Sequence, residues 1–388
     1  MNRRGFLQWG CAHCALLYAA AGRAQAGADA GSQWSIPPRF AAPDAASDEG
    51  GLWATMAREE QRVRRSPFLI RDVKLHDYLQ AILCRLAGSH CPDVRVYPVR
   101  SPHFNANMAP NGMMQVWSGL LLRMDNEAQL AAVIGHEVGH FLQRHALERL
   151  RDAKSKSAAG VVLAPFGLVG LVGQLALIAS VYSYSRDQER EADTISVRLM
   201  SAAGYDSSQA SVVWGNLLAE VMAGPNADAS KSSVLFATHP ASEERRDVLR
   251  SLGKAEGEKA EQAYRERMAD WQLPFLEDEL KRGQYAETIE LLGRKLAAEP
   301  ARGDFLYARA EARRLRGQEK DLEQAHADLA AAAALANAPA QTHRSLGLIL
   351  RSRADKAGAA ASFRRYLEAA PDAPDAGMIR TYISELET

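Results

Sequence analysis

His136-Glu137-Val138-Gly139-His140 lies inside a helical pattern that runs from Glu127 to Leu150. Histidines four residues apart on a helix sit about 40° apart around its axis, so both imidazoles project from one face and can share one metal ion. Neutral imidazole nitrogens suit zinc. Glu137 occupies the adjacent surface, where a carboxylate reaches a water polarised by the metal without binding the metal itself. The competing reading is a charged helical segment with two incidental histidines. The apolar run Ala131-Ala132-Val133-Ile134 argues against it, because charge set beside a core face needs a compensating partner.

A catalytic zinc takes a third protein ligand and keeps a fourth position open. A metzincin would place Gly three residues and His six residues after His140, but those positions hold Gln143 and Ala146. A gluzincin takes a glutamate from a downstream helix. Glu189-Arg190-Glu191-Ala192-Asp193 offers one, with Glu189 and Asp193 on a common face. Glu189 is therefore the expected ligand. Asp193 is the expected acceptor for a ligand histidine's second N–H, fixing its tautomer. Glu191 reads as a solvated surface charge. His76, His90, His103, His145, His326 and His343 read as ordinary histidines, and His145, five residues from His140, turns off the ligand face.

Upstream of the motif, Val73–Leu86 has helical spacing ended by Gly88. Val94–Val99, Phe104–Met108 and Met113–Trp117 read as strands, with Pro110-Asn111-Gly112 as a hairpin turn. Met113–Trp117 leads towards the motif helix, where an edge strand could pair with an extended substrate. Downstream, residues 157–185 carry no charge until Arg186, but Pro165, Gln174 and four glycines interrupt them. Two buried or surface-apposed helical pieces are expected there, with peripheral membrane contact as the minor alternative. Arg186–Ala203 is a charged helix closed by Gly204, and Asp206 caps another that reaches Met222. Ala223–Ser233 reads as a loop.

From Leu273 the chain is helical, alanine-rich and repetitive. Gly283, Tyr285 and Pro300 fall at the offsets of a tetratricopeptide unit, and so do Leu346-Gly347, Ala359, Phe363 and Pro371. A stretched middle unit lies between them. Such arrays hold peptides or partner proteins, and removal of residues 271–388 should spare peptide cleavage.

The N-terminus reads as an export signal. Arg3 and Arg4 precede the uncharged stretch Trp9–Gly22 and the cleavage site Ala24-Gln25-Ala26. Asn2-Arg3-Arg4-Gly5-Phe6-Leu7 resembles a twin-arginine signal. Cleavage after Ala26 removes three arginines and no acid, leaving a mildly acidic chain with Cys84 and Cys91 as its cysteines. An even pair in an oxidising compartment predicts a disulfide. Over the whole chain Lys plus Arg equals Asp plus Glu at 47 each, which argues against nucleic acid as a partner.

The His136–His140 motif, the Glu189–Asp193 pentad after Tyr184-Ser185-Arg186, and Thr238-His239-Pro240 together resemble the HtpX-type and CAAX-prenyl-protease-type zinc metallopeptidases. With an export signal and C-terminal repeats, the chain is similar to the BepA-like periplasmic branch of that family. The resemblance implies roles for His239 and Arg245 in stabilising the oxyanion of a tetrahedral intermediate. It also leaves open that His239 covers the zinc at rest.

The expected architecture is mainly α with a small β-sheet. It comprises a signal (1–26), a flexible lead-in (27–50), a gluzincin-type zinc metallopeptidase domain (51–270) and a tetratricopeptide solenoid (271–388). The expected function is a periplasmic zinc endopeptidase acting on unfolded or misassembled envelope proteins. The repeats would recruit substrate or the outer-membrane protein assembly machinery. The alternative is a chaperone or adaptor whose protease site His239 keeps shut.

Overall fold

Ser47 starts the first helix among the described residues by accepting the Gly50 N–H at 3.0 Å, and α1 follows over Asp48–Arg65. The structure is a computed structural model that describes residues 34–157, 184–225 and 243–388. The export signal, His239 and nearly all of the uncharged 157–185 stretch lie outside the described residues, as does most of the Ala223–Ser233 loop. From Pro38 onward the described chain forms one compact unit. The division at residue 50 therefore does not hold. Arg39 pairs with Asp93, Phe40 packs on His90 and Phe141, and α1 begins at Asp48.

Glu60 on α1 is a buried acceptor. It takes hydrogen bonds from Arg95 Nε (2.7 Å), Tyr97 Oη (2.7 Å) and Asn111 Nδ2 (3.1 Å), and so ties α1 to the sheet and its turn. Asp72 caps α2 (Val73–Ala87), whose buried Leu75, Leu79, Leu83 and Leu86 repeat at helical spacing. Each contributes about 1.5–3 kcal/mol relative to exposure. A short 3₁₀ segment, Gly88–Asp93, follows, and a disulfide joins Cys84 to Cys91 across the turn between them.

Three strands follow: β1 (Arg95–Val99), β2 (Ala106–Met108) and β3 (Met113–Trp117). Their order is β1-β3-β2, with β1 parallel and β2 antiparallel to β3. The Pro110-Asn111-Gly112 turn does join β2 to β3. Gly112 has φ +82°, and a Cβ there would sit 2.0 Å from the Asp93 carbonyl oxygen, so only glycine fits. Met113–Trp117 is the central strand, not an edge, because β1 returns to cover its other side.

Helix α3 (Ser118–Arg123) leads to α4 (Glu127–Leu142), which is capped by Asn126 and buried along its whole length. The pattern expected to run on to Leu150 breaks after Leu142. Arg144 takes φ +59°, and α5 (His145–Ser157) starts in a new direction. A left-handed conformation costs a non-glycine residue about 1–2 kcal/mol. Here the Arg144 side chain is engaged by Glu49 and lies over the Phe40 ring, which holds the turn.

Next come α6 (Arg186–Ala202) with a Ser185–Gln188 capping box, α7 (Gln209–Ala223) and α8 (Glu243–Leu252). Helix α9 (Glu261–Lys281) runs straight through the expected boundary at residues 270 and 271. Six more helices follow: α10 (Tyr285–Ala298), α11 (Gly303–Arg316), α12 (Asp321–Ala333), α13 (Gln341–Ser352), α14 (Lys356–Ala369) and α15 (Ala376–Glu387). Successive helices pack on one another. Gly347 on α13 has its reason here: a Cβ would lie 2.5 Å from the ring of Phe363 on α14, so the ring occupies the space a side chain would need.

These helices are keyed into the N-terminal body. Arg123 is buried between Glu220 (Nε–Oε2 2.7 Å) and Glu279 (Nη2–Oε1 2.9 Å), carboxylates from α7 and α9. Lys295 on α10 donates to the Met124 carbonyl and to Asp125, both at 2.9 Å.

Candidate metal centre

The site depends on how closely α4 and α6 approach. A Cβ on Gly139 would lie 3.1 Å from both Cα and O of Ala192, and one on Gly135 would lie 3.0 Å from Ser196 Oγ. Glycine on one helix faces small residues on the other, so the backbones come together. Glu189 and Asp193 are thereby set against His136 and His140.

Three side chains converge. His136 Nε2 and His140 Nε2 are 3.1 Å apart; Glu189 Oε2 lies 3.4 Å from the first and Oε1 lies 3.5 Å from the second. Donors about 2.05 Å from a tetrahedral zinc are separated by about 3.3 Å, close to these separations. All three residues are buried. Formal charge fits as well. Glu137, Glu189 and Asp193 carry three negative charges and Arg245 one positive, all buried, leaving a deficit that a divalent cation balances. The donor set and its charge therefore fit zinc.

Asp193 meets the role expected of it geometrically. Its Oδ1 lies 3.0 Å from His136 Nδ1, so Nδ1–H donates to the carboxylate and leaves Nε2 for the metal. Burial and the neighbouring Arg245 cation would lower the His136 pKa, but the contacts with Asp193 and Glu189 outweigh them and push it up to about 9 in the metal-free protein. Burial works against ionised Asp193, yet Arg245 and His136 hold it below its usual value.

Arg245, on α8, is committed differently from the expectation. Nε and Nη2 each donate at 2.7 Å to Asp193, and Nη1 lies 2.9 Å from Glu189 Oε2. Its guanidinium lies 3.9 Å over the Trp214 ring. The group is buried and faces the carboxylates of Asp193 and Glu189 and the ring of His136, whose Nδ1 lies 3.0 Å from Nη2. Glu137 is buried beside this charge cluster, and it helps hold the Arg245 pKa high.

His145, read as an ordinary histidine, is at the site. Because α4 stops at Leu142, the chain turns back and His145 Nδ1 comes 2.8 Å from His140 Nδ1. His145 Nε2 lies 3.3 Å from Glu191 Oε2, and Glu191 Oε1 accepts from Gln143 Nε2 at 2.5 Å. Tyr184 stacks on the His140 ring with centroids 3.8 Å apart. A continuous helix places His145 away from His140, so only the break at Arg144 would have exposed this contact. That break carries no glycine or proline to signal it.

His140 and Met108 line a common small pocket of ≈ 20 Å³ with Phe40, Pro110, Phe141 and Tyr184. It lies beside β2, the edge of the sheet nearest α4.

Residues 70–252 match the model of "Peptidase family M48", a span that includes all of the converging side chains. The chain is 31% identical over 175 residues to the mitochondrial metalloendopeptidase OMA1 of Schizosaccharomyces pombe, covering 43% of this chain and 50% of that protein. It is 27% identical over 201 residues to the beta-barrel assembly-enhancing protease of Escherichia coli, covering 48% and 40%. It is 28% identical over 212 residues to the putative beta-barrel assembly-enhancing protease of Vibrio cholerae, covering 50% and 41%. The chain spans half or less of the length of these relatives.

Proposed function

We propose that the protein, whose residues 70–252 match the model of peptidase family M48, is a zinc endopeptidase of the bacterial periplasm that cleaves unfolded or misassembled envelope proteins. The observation that carries the reading is the buried group of His136, His140 and Glu189, whose ligand-type atoms approach one another at 3.1, 3.4 and 3.5 Å.

His136, His140 and Glu189 hold the metal. Bound zinc supplies a Lewis acid that acidifies water and polarises a carbonyl. Glu137 takes the proton of the attacking water on its carboxylate and passes it to the leaving nitrogen. Asp193 and Arg245 keep His136 and Glu189 in register. His239 is the proposed oxyanion donor, on the resemblance of its Thr-His-Pro sequence. The extended substrate pairs with β2 rather than β3. Asn105 and Ala109 bond to β3, so the alternation of an antiparallel pair turns the N–H and C=O of Ala106 and Met108 to the outer side. Backbone pairing favours unfolded segments of little sequence preference.

The cellular setting rests on three supports. The N-terminus reads as an export signal, Cys84 and Cys91 are joined as suits an oxidising compartment, and two bacterial relatives are named for β-barrel assembly. The helices after α9 form a proposed tetratricopeptide-type array that recruits substrate or the outer-membrane assembly machinery. Contact of 157–185 with the membrane surface belongs to the same proposal. Among the described residues no helix is long and apolar enough to cross a membrane.

Zinc content and casein digestion test the reading in the wild type, Glu137→Gln and His239→Ala. Retained zinc with lost cleavage is expected for Glu137→Gln; cleavage at the wild-type rate overturns the mechanism. Loss in His239→Ala supports the oxyanion role, whereas a gain identifies His239 as a cover over the metal.

A further inference from the structure

We infer that His145 is a positioning residue for the metal ligand His140, anchored in turn by Glu191. The inference rests on the zinc reading above and deepens it. His140 Nε2 is the atom aimed at His136 Nε2 and Glu189, so its lone pair must face the metal. The neutral ring then carries its proton on Nδ1, which lies 2.8 Å from His145 Nδ1. His145 Nδ1 must accept, which puts the His145 proton on Nε2. That nitrogen faces Glu191 Oε2 at 3.3 Å, and a carboxylate can only accept. Gln143 Nε2 donates to the other oxygen and holds the carboxylate in place.

Every donor in this chain therefore meets an acceptor with both imidazoles neutral and each in one tautomer. The two ligand histidines are served separately. His136 donates directly to buried Asp193, while His140 donates through His145 to Glu191, whose side chain is 48% exposed. Glu189, Glu191 and Asp193 on α6 thus supply one ligand and two anchors. The distances also explain the left-handed turn at Arg144, because a continuous helix would put His145 about 140° around the axis from His140. Partners of this kind orient the ring and raise its basicity, and their loss weakens metal binding about ten- to a hundredfold.

The test is zinc affinity by chelator competition on the full chain, for the wild type, His145→Phe, Glu191→Ala and Glu191→Gln. Thermal unfolding of each metal-free protein reports on the fold. Phe fills the space but cannot accept, so His145→Phe should bind zinc about ten- to a hundredfold more weakly. Glu191→Ala should weaken binding less, and Glu191→Gln, which keeps an acceptor oxygen, least. Nitrogen NMR of the zinc-loaded wild type should find His140 with its proton on Nδ1. Equal affinity in wild type and His145→Phe overturns the inference and leaves the zinc reading intact; should His145→Phe not fold, equal affinity in Glu191→Ala does the same. A wild type that takes up no zinc overturns both.

Discussion

Arg245 grips Asp193 with both prongs of its guanidinium, Nε and Nη2 each donating at 2.7 Å to one carboxylate oxygen. The pair is buried and Glu189 shares the same cation. Removing one partner of a buried pair leaves an uncompensated charge and costs about 3–5 kcal/mol. Arg245→Ala should lower the denaturant midpoint of the metal-free protein accordingly, and zinc should restore part of the loss by replacing the missing positive charge. An oxyanion donor behaves otherwise, lowering turnover with stability unchanged. Arg245→Lys should fall between wild type and alanine, since one ammonium cannot span both oxygens.

Zinc uptake should release a proton near neutral pH. His136 titrates at about 9 in the metal-free protein, and only the neutral ring binds metal. Below that value the proton competes with the ion, so affinity should rise about tenfold per pH unit from pH 6.5 towards 9 and then level off. The linkage to folding has the opposite sense. A raised folded pKa contributes stability to the metal-free protein that is fully present below about 6.5 and lost as pH rises through about 9. Calorimetry in buffers of different ionisation enthalpy counts the proton; zero protons released at pH 7.5 contradicts the assignment.

Gly139→Ala should damage the centre more than Gly135→Ala. The new Cβ at 139 meets backbone atoms of Ala192 at 3.1 Å, so α6 itself must move, and Glu189 and Asp193 with it. At 135 it meets the Ser196 hydroxyl, which can turn away at the cost of its 2.7 Å bond to the Ala132 carbonyl. A loss of about tenfold in peptide turnover is expected for Gly139→Ala, since small displacements of catalytic groups are felt steeply. Parallel assays of the two variants check the order.

Local periodicity made the ligands readable. His136 and His140 are four apart, as are Glu189 and Asp193, and each pair had to share a helix face. What could not be read depends on partners distant in sequence or on a break without a marker. Arg144 adopts φ +59° although nothing in Gln143-Arg144-His145 announces it, and His145 was misread with it. Met113–Trp117 looks like any half-buried strand. Its central place follows from β1 pairing in parallel, which no local pattern encodes. The boundary at 270 and 271 followed a change in composition, while α9 is continuous through it because both its halves pack on the N-terminal body.

That continuity sets the last prediction. Truncation before residue 271 would cut α9 and remove Glu279, Arg282 and Lys295, leaving buried Arg123 with Glu220 alone among its carboxylate partners. The shortened protein should fold poorly or lose zinc, contrary to the expectation of a separable array. A finer probe is Glu279→Gln in the full chain, which should cost about 3 kcal/mol by the same reasoning as for Arg245. Burial works against ionised Glu279, but Arg123 and Arg282 hold its pKa below 4.5. Asp125 is likewise held low against burial by Lys295 and Arg294. A depressed folded pKa contributes stability that is present above about pH 4.5 and lost as pH falls through the folded value. Thermal unfolding between pH 7 and pH 3 should therefore fall more steeply in the wild type than in Glu279→Gln, the two curves converging at the acid end. Parallel curves would mean that the buried cluster does not couple the C-terminal helices to the N-terminal body.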